Sequence, residues 1–461
     1  RFLSDRTMAA YRELPQERVP VGAPVMRRRD GAAPERPRRR QGPDLLRTGE
    51  GAGRLSPRCH LVSEGGYCVF AADNGQTRSS LGRDVITLAE PGEYQAPAGV
   101  SWFFSGAEGV IGLTAAPLYR GDCRYSWEFY DGGAVWTCQR GGLTARTGLA
   151  LARLGSGELR RAELHWDGEG VLEGELLCYL EPVLCGERDH LAHPAFSKLF
   201  VESRAIPGGV SFRRRPRGAE EHPVLAALWD GEGSTFTTSR QAALGRGGLR
   251  ALAGGGPGPL KGETGAVLDP CLMVRLPVRL RPGESCALRL ALGVSDRLDA
   301  AADTAQRLLE GREEPGGMLA PIAQRLGLDQ VQALGAFALL RHLASVRPGA
   351  EGRPPQCELW QFGISGDLPI AAAPLEGGVG EDKIGLWCAQ HRFLTRAGWP
   401  FDLVFLAEEG GDYRRPLLTA VREALRARME VKASWQVGGQ AVLGKTTIIA
   451  NSLAHRTTWL R

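Results

Sequence analysis

Residues 272–280 alternate: Val274, Leu276, Val278 and Leu280 fall on one side, Arg275 and Arg279 on the other. Leu288, Leu290, Leu292 and Val294 repeat the period after Pro282-Gly283. A period of two sends successive side chains to opposite faces of a strand. Both runs therefore predict antiparallel strands with one face in a core and the other carrying charge. The aromatic stretches 124–130 and 134–140 flank Asp131-Gly132-Gly133 and read as a hairpin whose turn residues accept positive φ. Similar signals recur from Cys59 to about Val294, and so many short strands imply a large sandwich. With 62 Gly and 29 Pro among 461 residues, composition also favours turns and short strands over long helices.

At Ser295 the period changes. Ser295 reads as the N-cap of an Ala- and Leu-rich helix running to about Glu310. A second helix, 329–346, carries Leu334, Phe337, Leu340 and Ala344 on one stripe and stops before Pro348. Beyond it lie a strand at 368–373, a helix at 381–397 closed by Gly398, a strand at 401–406 and a helix at 413–429. That alternation predicts a small parallel-sheet α/β module. Ahead of the β region, 2–14 reads as a short helix ended by Pro15, and 20–57 as a Pro-, Gly- and Arg-rich linker. The expected division is 1–57, 58–294, 295–350, 351–437 and a distinct tail, 438–461.

The net charge is only +5, concentrated in Arg27, Arg28, Arg29 and the Arg-Pro run 37–40. Without an aromatic platform this is a solvated linker rather than a nucleic-acid surface. The ten cysteines form no C-x-x-C pair, and several sit in apolar runs. They read as buried thiols in a reducing compartment, not as a disulfide or zinc framework. No apolar stretch reaches the ~18 residues of a membrane-spanning helix.

Several motifs resemble the cyclic β-1,2-glucan synthases and their relatives in glycoside hydrolase family 94. They are Arg1-Phe2-Leu3-Ser4-Asp5 through Glu17-Arg18-Val19-Pro20, Pro57-Arg58-Cys59-His60-Leu61, and Gly65-Gly66-Tyr67. The run from His193-Pro194-Ala195-Phe196 to Phe200-Val201-Glu202 is more specific, and Gly363-Ile364-Ser365-Gly366-Asp367-Leu368-Pro369-Ile370 after Leu359-Trp360 is the most specific. The resemblance covers about residues 1–430. It implies a mainly β supersandwich followed by linker helices and a small α/β module. It also implies that this chain is the connecting part of a larger enzyme, on the cytoplasmic side of the inner membrane. A glucoamylase-like domain, a glycosyltransferase and membrane spans would precede it, and an (α/α)₆ barrel would follow. Its partners would be a β-glucan or oligosaccharide and the neighbouring catalytic domains, with no cofactor. The barrel's general-acid aspartate and the family's G-Y-R-D-x-x-Q-D motif find no counterpart here, so no catalytic residue is assigned.

Inverting glycosyl chemistry needs a proton donor to the leaving oxygen and an activated nucleophile on the opposite face. The carboxylates weighed for such work are Glu358, Asp367, Glu408 and Glu409. Asp367, after two glycines, reads first as a turn residue accepting backbone N–H bonds. His190 and His193 form His-x-x-His with no third ligand, which gives no metal site. The expected carbohydrate contacts are His193, Lys198, Trp360 and Asp367. Trp102, Trp127 and Trp136 could stack on sugars, but alternating aromatics in strands read first as core. Finally, Gly439 to Thr446 fits G-x-x-x-x-G-K-T. A strand at 431–437 and a helix from Thr446 would make Gly439, Gly444, Lys445 and Thr446 a phosphate cradle. No Walker B aspartate follows, so this nucleotide-binding reading ranks last.

Overall fold

The computed structural model describes residues 42–407 except 54–56, 88–98, 217, 219–220, 255–259, 313–314, 346–355, 363 and 376–380, together with the backbone of 446–450. The chain runs through β1 (Arg47–Glu50), β2 (Cys59–Glu64), β3 (Tyr67–Ala72), β4 (Thr77–Leu81) and β5 (Asp84–Thr87). The hairpin β6 (Ser101–Gly106) and β7 (Gly109–Gly112) follows, then a meander of β8 (Arg124–Tyr130), β9 (Gly133–Arg140), β10 (Leu143–Leu151) and β11 (Ser156–Trp166). After β12 (Leu172–Leu180) and β13 (Pro182–Gly186), two short helices, α1 (Glu187–Ala192) and α2 (Pro194–Lys198), form a corner. That corner leads to β14 (Val201–Ile206), β15 (Gly209–Arg214), β16 (Val224–Trp229) and β17 (Thr235–Ser239). Helix α3 (Arg240–Leu244) and a 3-10 segment (Gly245–Gly254) precede the long strands β18 (Pro270–Leu280) and β19 (Glu284–Ser295).

A nine-stranded antiparallel sheet, ordered β1-β8-β9-β10-β11-β19-β16-β15-β14, faces two five-stranded sheets, β17-β18-β12-β6-β7 and β13-β5-β4-β3-β2. The main core lies between them. It takes Phe129, Trp136 and Leu290 from the large sheet, Trp102, Leu176 and Val274 from the second, and Tyr67, Val69 and Ile86 from the third. The alternating runs sit as their pattern requires: Val274, Leu276, Val278 and Leu280, like Leu288, Leu290, Leu292 and Val294, are buried. They are not hydrogen-bonded to each other. β18 pairs with β12 and β17, and β19 with β11 and β16. The chain changes sheets at 281–283, so the two apolar faces meet across the core. The Glu158–Arg160 ion pair lies inside it at 2.9 Å, and Ser79 Oγ donates to the same carboxylate at 2.8 Å.

Each sheet also has its outer face partly covered. α3 and the 3-10 segment seal the second sheet with Leu244, Leu249 and Leu252 against Phe103, Leu177, Tyr179 and Met273. α4 (Leu298–Leu309) lies on the large sheet, packing Ala305 and Leu308 against Leu228 and Ala291. The third sheet is covered by α5 (Leu319–Arg325), α6 (Gln330–Ser345) and the α/β module: β20 (Ile370–Leu375), α7 (Glu381–Arg396), β21 (Asp402–Ala407) and β22 (Thr446–Ala450). Cys59, Leu61 and Cys68 of β2 and β3 share one core with Leu319, Phe337, Phe393 and Phe405. β20 and β21 are parallel, as the alternation predicts, and β22 adds a third parallel strand that the sequence reading did not expect. The architecture is thus a β supersandwich followed by helices and a small α/β module.

Three local expectations are corrected. Ser295 does not cap α4: it ends β19, and the N-cap position is Arg297, which makes no side-chain cap bond. The Ser295 hydroxyl instead contacts the Asp296 carboxylate at 2.9 Å. The hairpin joining β8 and β9 forms in the expected place, but Gly132 and Gly133 lie outside the positive-φ region. Gly132 is needed for close approach, since a Cβ there would sit 2.6 Å from the Gly316 carbonyl oxygen. Asp131 turns its carboxylate to the backbone N–H groups of Leu319 and Ala320, at 2.7 and 3.2 Å, and caps α5. Last, Thr446 opens a strand rather than a helix. Its backbone pairs with Leu403 of β21, so no helix N-terminus faces a phosphate there. Gly439, Gly444 and Lys445, like Glu408, Glu409 and the helices expected at 2–14 and 413–429, lie outside the described residues.

Candidate functional site

α1 and α2 form a corner because Pro194 begins a new helix at its first position, where its missing N–H costs nothing. His193 between them takes an extended φ of −149°. Its side chain is exposed, whereas His190 is buried with Nδ1 3.3 Å from Ser197 Oγ. Burial, then the nearby Lys198 and Arg214 charges, hold His190 below the usual imidazole range. The two histidines therefore sit in different environments rather than in a shared ligand set. Leu191, Phe196 and Leu199 are exposed on the same corner, and the Phe196 and Phe200 rings meet edge to face at 5.3 Å.

Lys198 points the other way, into a compact charged cluster. Its Nζ donates to Glu181 Oε2 at 2.7 Å and lies 2.9 Å from Asp269 Oδ1. Arg240 Nε is 3.3 Å from Glu181 Oε1, and the Tyr179 hydroxyl donates to that same oxygen at 2.5 Å. Burial pulls the Lys198 ammonium down, but the Glu181 and Asp269 carboxylates outweigh it and hold its pKa above the ordinary lysine value. Two cations and two anions are matched, so the cluster fastens α2 to β12, α3 and the approach to β18. Sequence reasoning overlooked Tyr179, Glu181, Arg240 and Asp269. The available signal was Glu181 itself, a carboxylate inside the apolar run 176–185, which needs partners when buried.

The segment carrying Trp360 and Asp367 lies against α1. Arg188 of α1 donates to the Asp367 carboxylate, and its other terminal nitrogen is 3.5 Å from Gln356 Oε1. Gln356 Nε2 donates to Asp367 Oδ1 at 3.2 Å and to the Ser365 carbonyl at 2.6 Å. The expectation that Asp367 accepts backbone N–H bonds is thus corrected: it accepts from two side chains, while its own N–H donates to Ser365 Oγ at 3.3 Å. The Arg188 guanidinium holds the Asp367 carboxyl below the usual range. Trp360 is 63% exposed, and its indole N–H donates to the Ser365 carbonyl at 3.3 Å. One ring edge is tethered while the ring stays open to solvent. Glu358 belongs to the same helical turn, Gln356–Phe362. Trp102, Trp127 and Trp136 are buried in the sandwich core and offer no stacking surface.

The arrangement offers a tethered aromatic face beside an amide, a guanidinium and a carboxylate, which suits a ligand with one apolar face and many hydroxyls. The Arg188 charge favours the ionised form of Asp367, which accepts rather than donates hydrogen bonds. Arg188 lies 168 positions from Gln356, so no local pattern joins it to the Trp360 turn.

The family model for the glycosyl hydrolase 94 supersandwich domain matches residues 46–310. The cyclic beta-(1,2)-glucan synthase NdvB of Rhizobium meliloti (strain 1021) is 27% identical over 93% of this chain, and the chain spans 16% of that protein's length. Among solved structures, a putative kojibiose phosphorylase from human microbiome aligns over 77% of this chain and 43% of its own, at 7% identity and a TM-score of 0.36. A bacterial glucoamylase complexed with acarbose aligns over 59% and 35%, at 10% identity and a TM-score of 0.34. Among the described residues no helix is long and apolar enough to cross a membrane.

Proposed function

The chain belongs to the glycosyl hydrolase 94 supersandwich family, and from that premise we propose that it binds β-linked glucan and positions it for neighbouring catalytic domains. The observation that carries this reading is the tethered, 63% exposed Trp360 beside the Arg188, Gln356 and Asp367 cluster. An indole face covers the apolar face of a pyranose, while the flanking polar groups take its hydroxyls. His193 and the corner formed by α1 and α2 extend this surface, and Lys198 fixes the corner from beneath. The glucan-synthase relative is consistent with a β-1,2-linked ligand.

In this reading the chain itself carries no reacting group. Asp367, held ionised by Arg188, is in the wrong state to donate a proton to a leaving oxygen. The sugar-binding surface would be shared by the sandwich, 58–294, and the Trp360 segment at the start of the α/β module. One observation favours a purely structural role as the second reading. The module shares its core with β2 and β3, which is what an interdomain scaffold requires.

Calorimetric titration with a β-1,2-glucooligosaccharide at millimolar concentration separates the two. Binding weakened roughly tenfold by Trp360→Ala, about 1.4 kcal/mol, is the expected result. Absence of heat with the wild-type chain would retire the glucan reading and leave the scaffold. Glucose 1-phosphate release from a β-glucobiose and phosphate should not exceed the blank.

A further inference from the structure

A second cleft lies on the outer face of the large sheet, where it enters neither the Trp360 surface nor the Lys198 cluster. Val201, Val210, Phe212 and Leu225 turn inward to the core. By the strand period Glu202, Arg204, Ser211, Arg213 and Val224 turn outward. With Glu221, Asp296 and Leu298 at the start of α4, these outward residues line a cavity of about 620 Å³. That volume is within the ~300–1,000 Å³ of small-ligand clefts.

Its wall chemistry is unusual for a solvated sheet face. Glu202 and Arg213 are directly opposed across β14 and β15, where opposite charges ordinarily pair. Among the described residues neither forms an ion pair with the other, and Arg204 and Glu221 are likewise unpaired. The backbone beneath is nonetheless fixed. Arg214, the inward neighbour of Arg213, donates to the Ser197 carbonyl at 3.0 Å and lies over the Phe200 ring at 5.5 Å. Ser211 Oγ donates to the Arg204 carbonyl at 3.3 Å. Glu202, Arg204 and Arg213 are therefore held on this ribbon without ion-pair partners among the described residues.

We propose that this cleft is a second oligosaccharide subsite, in which Arg204 and Arg213 donate to, and Glu202 and Glu221 accept from, the hydroxyls of a neutral sugar. The balance of charges selects the ligand class. Arg204 and Arg213 are matched by Glu202 and Glu221, with Asp296 and His222 completing the polar lining, so both signs are present and neither dominates. A polyol, whose every hydroxyl both donates and accepts, satisfies both signs at once. Among the described lining residues there is no Phe, Tyr or Trp to give a nucleobase a broad stacking platform. The inference deepens the glucan-binding reading and rests on it: one chain would hold the polymer at two separate places.

Calorimetry with the same β-1,2-glucooligosaccharide, on the wild-type chain, Arg204→Ala/Arg213→Ala and Trp360→Ala, tests it. Two equivalents are expected for the wild type and one for each variant. Hydrogen exchange should show ligand-induced protection of residues 201–214 that the double arginine variant abolishes. Binding that Trp360→Ala removes and the arginine variant leaves unchanged would overturn the second subsite while preserving the first. Binding lost only in the arginine variant would keep the cleft and overturn the Trp360 assignment. No binding by the wild type would remove both. Unchanged circular dichroism and melting temperature of the arginine variant exclude unfolding as the cause of any loss.

Discussion

Arg188 reaches Asp367 across 179 positions of sequence, and joins the helical corner of the sandwich to the segment that carries Trp360. The side chains are 63% and 57% exposed, so water screens the pair and its worth to global stability is small. Its effect is local: it decides where the Trp360 segment lies.

For that pair, Arg188→Ala should leave the melting temperature nearly unchanged and weaken glucan binding. It should also raise the Asp367 carboxyl toward the ordinary value of about 3.9, as read from its carboxyl carbon shift against pH. Because the native carboxyl is depressed, the pair's contribution is present above that ordinary value and fades as pH falls through the native one. An Asp367 titration identical in both proteins would show that the contact does not persist in solution.

His60 is expected to remain neutral in mild acid. It lies fully buried, accepts at Nδ1 from Arg47 at 3.1 Å and donates from Nε2 to the Tyr130 carbonyl at 3.0 Å. Burial first, then the Arg47 charge, push it down to about 3. The unfolded chain binds a proton below about 6.5 and the folded one does not, so stability is full above that pH. It then falls by up to ~1.4 kcal/mol per unit toward pH 3. Urea unfolding between pH 4 and 7 should show this slope reduced in His60→Phe, and long-range nitrogen–proton spectra should keep the Nε2–H tautomer at pH 5.

The core ion pair offers a sharper mutational contrast. Glu158 and Arg160 are 0% and 2% exposed, so Glu158→Ala leaves a buried guanidinium without its counter-charge. About 3–5 kcal/mol should be lost in denaturant titration. Glu158→Leu/Arg160→Met removes both charges and should recover most of that. A double variant as weak as the single one would contradict the assignment of the loss to an unpaired charge.

Asp131→Ala should cost about 1 kcal/mol, the ordinary worth of an N-terminal cap. It should also raise hydrogen exchange in α5 ahead of the sandwich. Asp131→Asn, which keeps an acceptor oxygen, should recover most of the protection.

The alternating runs 272–280 and 288–294 were legible because each buries a single face. Their partners were not, because period two tells which face is inward but not which sheet supplies the neighbour. Asp131 shows the same limit: the residue marks a turn, but its use as a cap depends on a helix 188 positions later. Ser295 misled because a hydroxyl before a helical stretch is a common cap, and here the strand ran on to include it. At the candidate site Trp360 and Asp367 stood out by motif. Arg188 did not, since a lone arginine on a short exposed helix has no pattern until its partner is placed beside it.

The core that β2 and β3 share with α5, α6 and the α/β module has a mechanical consequence. A joint packed on both sides with phenylalanine and leucine transmits displacement instead of absorbing it. A push on the module would move the third sheet as one body, and through the core behind it the whole sandwich. A polymer gripped at the Trp360 surface would thus be carried with the sandwich as a lever carries its load.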